Sequence, residues 1–198
     1  MKRVVTVFFV IASSFYSYGQ NSEVSNMLKE IEGQWSLDDN NNVTYQRIVE
    51  VPDVNKDELF SRAQNYFIYN YGSGKSVIQT QDKEKGQIIG KGIYDRLHTF
   101  SNGTGWVYLG TWHIIRVDVK DGRARIIITL TEYQEDFKGI LTNSNVSKEF
   151  PINDEGGRKN IMGKAFYKSH NKAIESLDLI EKAIKEGTTS KQIEDDKW

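Results

Sequence analysis

The chain contains three histidines, and their placement limits the imidazole chemistry open to it. His98, His113 and His170 lie far apart, without the paired spacing that a metal site built on one helix or short loop uses. His113 has the strand parity of an inward-facing residue opposite Leu130, so a buried, hydrogen-bonded imidazole is expected there. A Ser-His-Asp set assembles in space and leaves no spacing to read. The nucleophile elbow Gly-x-Ser-x-Gly is absent, since Gly72-Ser73-Gly74 is too short to form one. No catalytic residue is assigned.

Phosphate and metal motifs fare no better. Gly74-Lys75-Ser76 has the end of a phosphate loop, but Tyr69 occupies the position where the pattern requires its first glycine. That segment also runs from helix to strand rather than from strand to helix. Lys91, in Gly90-Lys91-Gly92, lacks the following Ser or Thr. The run Asp38-Asp39-Asn40-Asn41-Asn42 is acidic enough for a calcium loop, yet it lacks the glycine and the closing glutamate, so a plain turn is expected. No cofactor and no metal site is expected.

The remaining chemistry is recognition, and it depends on a hairpin. Trp106 to Tyr133 reads as two long antiparallel strands joined at Asp121-Gly122, a pair suited to the positive φ angles of a two-residue turn. Lys120 then faces Arg123, Asp118 faces Arg125, and Arg116 faces Ile127. Ile115, Val117 and Val119 share one face with Ala124, Ile126 and Ile128, an agreement that a one-residue slip would destroy. The other face receives Trp106, Tyr108, Trp112, Ile114, Arg116 and Asp118, with Arg125, Ile127, Thr129, Thr131 and Tyr133. A solvated sheet face is ordinarily polar; aromatic rings beside charges suit a contact surface. Trp112, Arg116, Arg125, Ile127 and Thr131 are the candidate binding residues, with the arginines suited to a carboxylate. The competing reading is a second small core, covered by residues 136–165 or by Trp35 and the N-terminal helix, with Asp118 and Arg125 as an ordinary cross-strand pair.

The elements that position this face follow in order. Val24, Met27, Leu28 and Ile31 predict a short helix stopped by Gly33. Val43 to Val51 alternates as a strand, and Pro52-Asp53 ends it. Asn55 caps a helix carrying Leu59, Ala63, Tyr66, Phe67 and Tyr71, with Glu58 completing a capping box. Strands are expected over 77–80 and 87–94, followed by the hairpin. Residues 136–165 read as irregular. A last helix carries Ala173, Ile174, Leu177, Ile180 and Ile184, with Gly187 as its stop. The order strand, helix, four strands, helix predicts an α+β fold with both helices on one face of an antiparallel sheet.

At 198 residues and 38% hydrophobic content, the chain suits one domain with short extensions. Lys2-Arg3, the apolar run Val4 to Ala12 and the small-residue end Ser17-Tyr18-Gly19 predict a cleaved signal peptide over 1–19. That run is shorter than the roughly 20 residues of a membrane span, which argues against an anchor, and no second long apolar run exists, so no span is expected after cleavage. Residues 20–41 then form an N-terminal helix and linker, 42–187 the α+β domain and 188–198 a polar tail. With no cysteine there are no disulfides and no thiol catalysis, which fits a periplasmic or secreted protein without a disulfide framework. Losing Lys2 and Arg3 moves the formal charge from −1 to −3, which argues against nucleic acid as a partner.

Val49-Glu50-Val51-Pro52 ahead of Lys56-Asp57-Glu58-Leu59, Gly86-Gln87-Ile88-Ile89-Gly90-Lys91-Gly92 and the Val119-Lys120-Asp121-Gly122-Arg123 turn resemble a known family. It is the domain-of-unknown-function family with a TBP-like fold, found in exported proteins of Gram-negative bacteria. The resemblance covers residues 42–135 well and the remainder loosely. It implies a TBP-like antiparallel sheet and an exported life; it supplies no activity, and fold does not imply function. The reading that results is an exported, non-catalytic binding or accessory module for an envelope protein or small ligand. The alternatives are an envelope hydrolase, a hydrolase inhibitor or a structural subunit that dimerises.

Overall fold

The structure, a computed structural model, describes residues 23–71, 77–145 and 158–187. The leader expected over 1–19, the Gly72-Ser73-Gly74-Lys75-Ser76 stretch and the tail 188–198 lie outside the described residues.

A helix over 23–30 (α1) leads to β1 (Ser36–Leu37), β2 (Val43–Glu50), α2 (Lys56–Asn70), β3 (Ile78–Asp82) and β4 (Gln87–Ser101). β5 (Trp106–Lys120), β6 (Arg123–Phe137), β7 (Ile140–Asn145) and α3 (Lys159–Glu186) complete the chain. The strands form one antiparallel sheet in the order β1-β2-β6-β5-β4-β3, with β7 pairing on β6 beyond β2. The fold is α+β, as the sequence implies, with two more strands than expected. Residues 136–165 are not irregular throughout: β7 and the first turns of α3 fall within them.

The helices pack on the face that carries Val43, Tyr45, Val49, Ile88, Ile115, Val117, Ile126, Ile128 and Leu130, all buried. α2 contributes Leu59, Ala63, Tyr66 and Phe67, and α3 contributes Phe166, Ala173, Leu177, Ile180 and Ile184. Asn55 caps α2 as expected, its side chain accepting the Glu58 amide at 2.9 Å. Val24 and Ile31 of the N-terminal stretch are buried too, and Ser36–Leu37 pair with Thr44 and Val43, so residues 23–37 share the domain's sheet and core.

The hairpin register is as expected from Lys120 opposite Arg123 to His113 opposite Leu130. Its turn differs. Gly122 has φ 75°, whereas Asp121 stays outside the positive-φ region. The tip is held by neighbours instead: Val51 N–H donates to Gly122 O (2.7 Å), Gly122 N–H to Val54 O (2.9 Å) and Lys56 N–H to the Asp121 carboxylate (2.7 Å). Tertiary hydrogen bonds thus select a turn that the dipeptide alone would not.

One expected orientation is overturned. Trp112 pairs with Glu132 and His113 with Leu130, leaving Thr131 as an extra residue in β6. This bulge reverses the alternation beyond it, so Tyr133 turns into the core at 3% exposure instead of sharing the open face. It also marks where β6 changes partner on its outer edge, from β2 to β7.

Candidate functional site

The face opposite the helices is built from rows that cross the sheet. One row runs Ile48, Arg125, Asp118, Gln87; the next runs Gln46, Ile127, Arg116, Ile89; a third runs Thr44, Thr129, Ile114, Lys91. Trp112 stands beyond them, opposite Ile93. Among the described residues no helix crosses this face, and Trp112, Ile114, Ile127 and Thr129 are half-buried.

The five candidate residues therefore fall into two groups. Arg116, Arg125 and Ile127 are adjacent, with Arg116 directly opposite Ile127. Trp112 and Thr131 form the second group, the Thr131 hydroxyl donating to Trp112 O at 3.3 Å. Trp112 and Arg116 are four positions apart along the strand, about 13 Å at the usual rise. The Trp112 indole N–H donates to the Gln134 side chain at 3.1 Å, and the Lys91 ammonium lies 4.9 Å from the ring centroid. That ring is fixed from both sides.

At the hairpin-tip end the charges converge on Asp118. Arg116 Nε donates to Asp118 Oδ1 at 2.8 Å, and Arg125 donates Nε (3.0 Å) and Nη2 (2.7 Å) to Oδ2. The Gln87 amide donates to Oδ1 at 2.9 Å. Partial burial alone would raise the Asp118 carboxyl, but the hydrogen bonds from Arg116, Gln87 and Arg125 outweigh it and hold its pKa below the usual value. The carboxylate stays ionised and fixes both guanidinium planes.

Around this knot lies a groove of about 470 Å³ lined by Lys85, Gln87, Arg116, Asp118, Lys120, Arg123 and Arg125, with Ile48 as its apolar side chain and the strand segments at Val119 and Ala124 completing its wall. Sequence reasoning found Arg116 and Arg125 and missed Lys85, Lys120 and Arg123. The signal was present for two of them: Lys120 opposite Arg123 puts like charges face to face at the end of the hairpin. Lys85 comes from the β3–β4 turn and reaches the groove only through the fold.

The histidines lie elsewhere. His113 is fully buried, its Nε2 lies 3.0 Å from the Tyr71 hydroxyl, and Tyr94 stacks on its ring at 3.9 Å. Burial lowers its pKa to about 4, against a smaller opposing contribution from the Thr111 backbone. His170 is buried beside the Tyr45 hydroxyl, 3.2 Å from its Nδ1. His98 is depressed chiefly by burial, with Lys168 and Lys164 adding to it. None of the three lines the groove. Gly90 and Gly92 take their meaning from the same core: a Cβ on Gly90 would sit 2.5 Å from the Phe67 ring, and one on Gly92 would sit 2.9 Å from both His113 Nε2 and the Tyr71 ring. The Asp38 run is a turn, its carboxylate accepting the amides of Asn40 and Asn42. No group of carboxylates and imidazoles able to hold a metal ion occurs among the described residues.

Comparison with known proteins agrees with this architecture. Residues 45–134 match the family described as "Domain of unknown function (DUF4468) with TBP-like fold". A DUF4468 family protein from Bacteroides ovatus ATCC 8483 is similar in structure, at 14% identity and TM-score 0.57, covering 77% of this chain and 91% of that one. A TBP-like protein from Parabacteroides distasonis ATCC 8503 is similar at 17% identity and TM-score 0.51, covering 74% of this chain and 96% of that one. No curated protein matches the chain. At these identities the structural likeness is one of fold: the domain is TBP-like, and residues 45–134 carry the DUF4468 pattern.

Proposed function

We propose that this protein is an exported, non-catalytic binding or accessory module that engages its ligand or partner protein through the open face of its sheet. The observation that carries the reading is the composition of that face. Trp112, Ile114 and Ile127 stand in the middle of a long twisted sheet, on the side away from α2 and α3, and a basic groove adjoins them. A sheet face that only met water would gain nothing from these rings and aliphatic groups. These side chains are half-buried and not closed off, so a partner could still remove apolar area from water there.

Export is supported by the basic start, apolar run and small-residue end of residues 1–19 and by the absence of cysteine. Among the described residues no helix is long and apolar enough to cross a membrane.

The test is a thermal-shift screen of the mature protein, residues 20–198, against peptidoglycan fragments, glycans, peptides and nucleotides, run beside Trp112→Ala and Arg125→Ala. A compound present at a hundredfold excess over its Kd adds about 2.7 kcal/mol of apparent stability. A shift in the wild type that disappears in either variant supports the reading. A shift retained in both variants places the ligand elsewhere and overturns it.

A further inference from the structure

We infer that the hairpin-tip groove is a binding site for ligands carrying two or more carboxylate or phosphate groups; this deepens the open-face reading by naming a ligand class. Five cations, Lys85, Arg116, Lys120, Arg123 and Arg125, line one groove with a single carboxylate, Asp118. The chain as a whole has a formal charge of −1, so this is a local concentration and not a reflection of composition.

Asp118 alone does not account for the cluster. An ordinary cross-strand pair needs one cation, and Arg125 supplies it with two hydrogen bonds. Arg116 joins through Nε only, which leaves its terminal N–H groups and part of the Arg125 fork available to an acceptor. Lys85 has a partner of its own in Asp82, at 3.0 Å. Lys120 and Arg123 face each other across β5 and β6; Arg123 has Glu50 opposite it on β2, but neither cation forms an ion pair among the described residues. Like charges directly opposed are destabilising.

The backbone keeps these charges together. The tip is tied to residues 51–56 by the three hydrogen bonds given above, and on the other side Val119 N–H donates to Gly86 O at 2.7 Å. Gly86 has φ 67°, and a Cβ there would meet Val119 O at 2.3 Å, so the β3–β4 turn is pressed against the hairpin. Repulsion between the cations cannot be relieved by splaying the strands. A multivalent oxyanion relieves it directly, accepting from arginine forks that Asp118 already orients.

The experiment is calorimetric titration of the full chain with citrate and with pyrophosphate, at low and at raised ionic strength. The variants are Lys120→Gln/Arg123→Gln, which removes no hydrogen bond or ion pair of the described fold, and Lys168→Gln, which removes one exposed cation on α3, away from the groove. The inference predicts saturable binding of at least one probe, weakened by salt and weakened roughly tenfold or more by the double substitution. Binding should be unchanged in Lys168→Gln. Preference for citrate or pyrophosphate assigns the natural group as carboxylate or phosphate. The absence of saturable binding by both probes, or binding indifferent to the double substitution, would overturn it. A screen ligand that depends on Trp112 while both anions fail would leave the open-face reading standing and remove this inference alone.

Discussion

Asp118 on β5 accepts both Nε and Nη2 of Arg125 from the directly opposed position on β6, so the two strands are cross-linked two residue pairs in from the hairpin's end pair. The side chains are 20% and 45% exposed, and solvent therefore screens the pair. A double-mutant cycle with Asp118→Asn and Arg125→Gln should return a coupling of about 0.5–1 kcal/mol in urea-denaturation midpoints. A coupling indistinguishable from zero would mean that the carboxylate does not orient the arginine in solution.

Gly92 leaves the space that the Tyr71–His113 contact fills. Gly92→Ala should destabilise the fold by about 1–3 kcal/mol through overpacking, read as a lowered urea midpoint with unchanged m-value. Gly90→Ala should cost at least as much, since the Phe67 ring it meets belongs to the centre of the core. A neutral result at either position would contradict the packing described.

Stability should fall as pH falls from about 6.5 toward about 4, because the fold holds His113 neutral with a pKa lowered from 6.5 to about 4. In that window the unfolded chain binds the proton and the folded chain does not, so stability is fully present above 6.5 and declines below it. The His113 share of the loss levels off near pH 4 at a magnitude on the order of 3 kcal/mol. His98 and His170 are lowered as well and act in the same direction. Thermal melts at successive pH values check the slope, and His113→Gln should flatten it.

Trp112→Ala should cost about 1 kcal/mol or less if the ring belongs to an open face, whereas a large aromatic in a closed core costs about 3–5 kcal/mol. Phe67→Ala provides the internal comparison, its ring being fully buried. Similar losses for the two substitutions would make Trp112 part of a second core.

Much of the fold was legible in the sequence because one device settled much of it. Asp121-Gly122 between alternating runs fixed the register, and the apolar parity of β5 agreed with it down to the opposition of His113 and Leu130. Tyr133 was misplaced because a one-residue bulge at Thr131 reverses every later side chain and has no composition of its own. The beginning of α3 was hidden because Pro151 and Gly156-Gly157 interrupt any pattern over residues 136–165, so that the irregular reading extends past them over the helix's first turns. The site was legible in part. Arg116, Arg125 and Ile127 share a face by parity alone, but Lys85 joins them only through the packing of the β3–β4 turn against the hairpin. Trp112 and Arg116 have the same parity and still belong to different places along the strand.

The central claim is that the face bearing Trp112, Ile114 and Ile127 is open to a partner. Hydroxyl-radical footprinting of the full chain, read by mass spectrometry at Trp112 against the buried Tyr133, tests it most directly. The account predicts that Trp112 is modified well above Tyr133 in the free protein and protected when a ligand that raises the melting temperature is added. Modification of Trp112 as slow as that of Tyr133 in the free protein would show the face to be closed and would contradict the account.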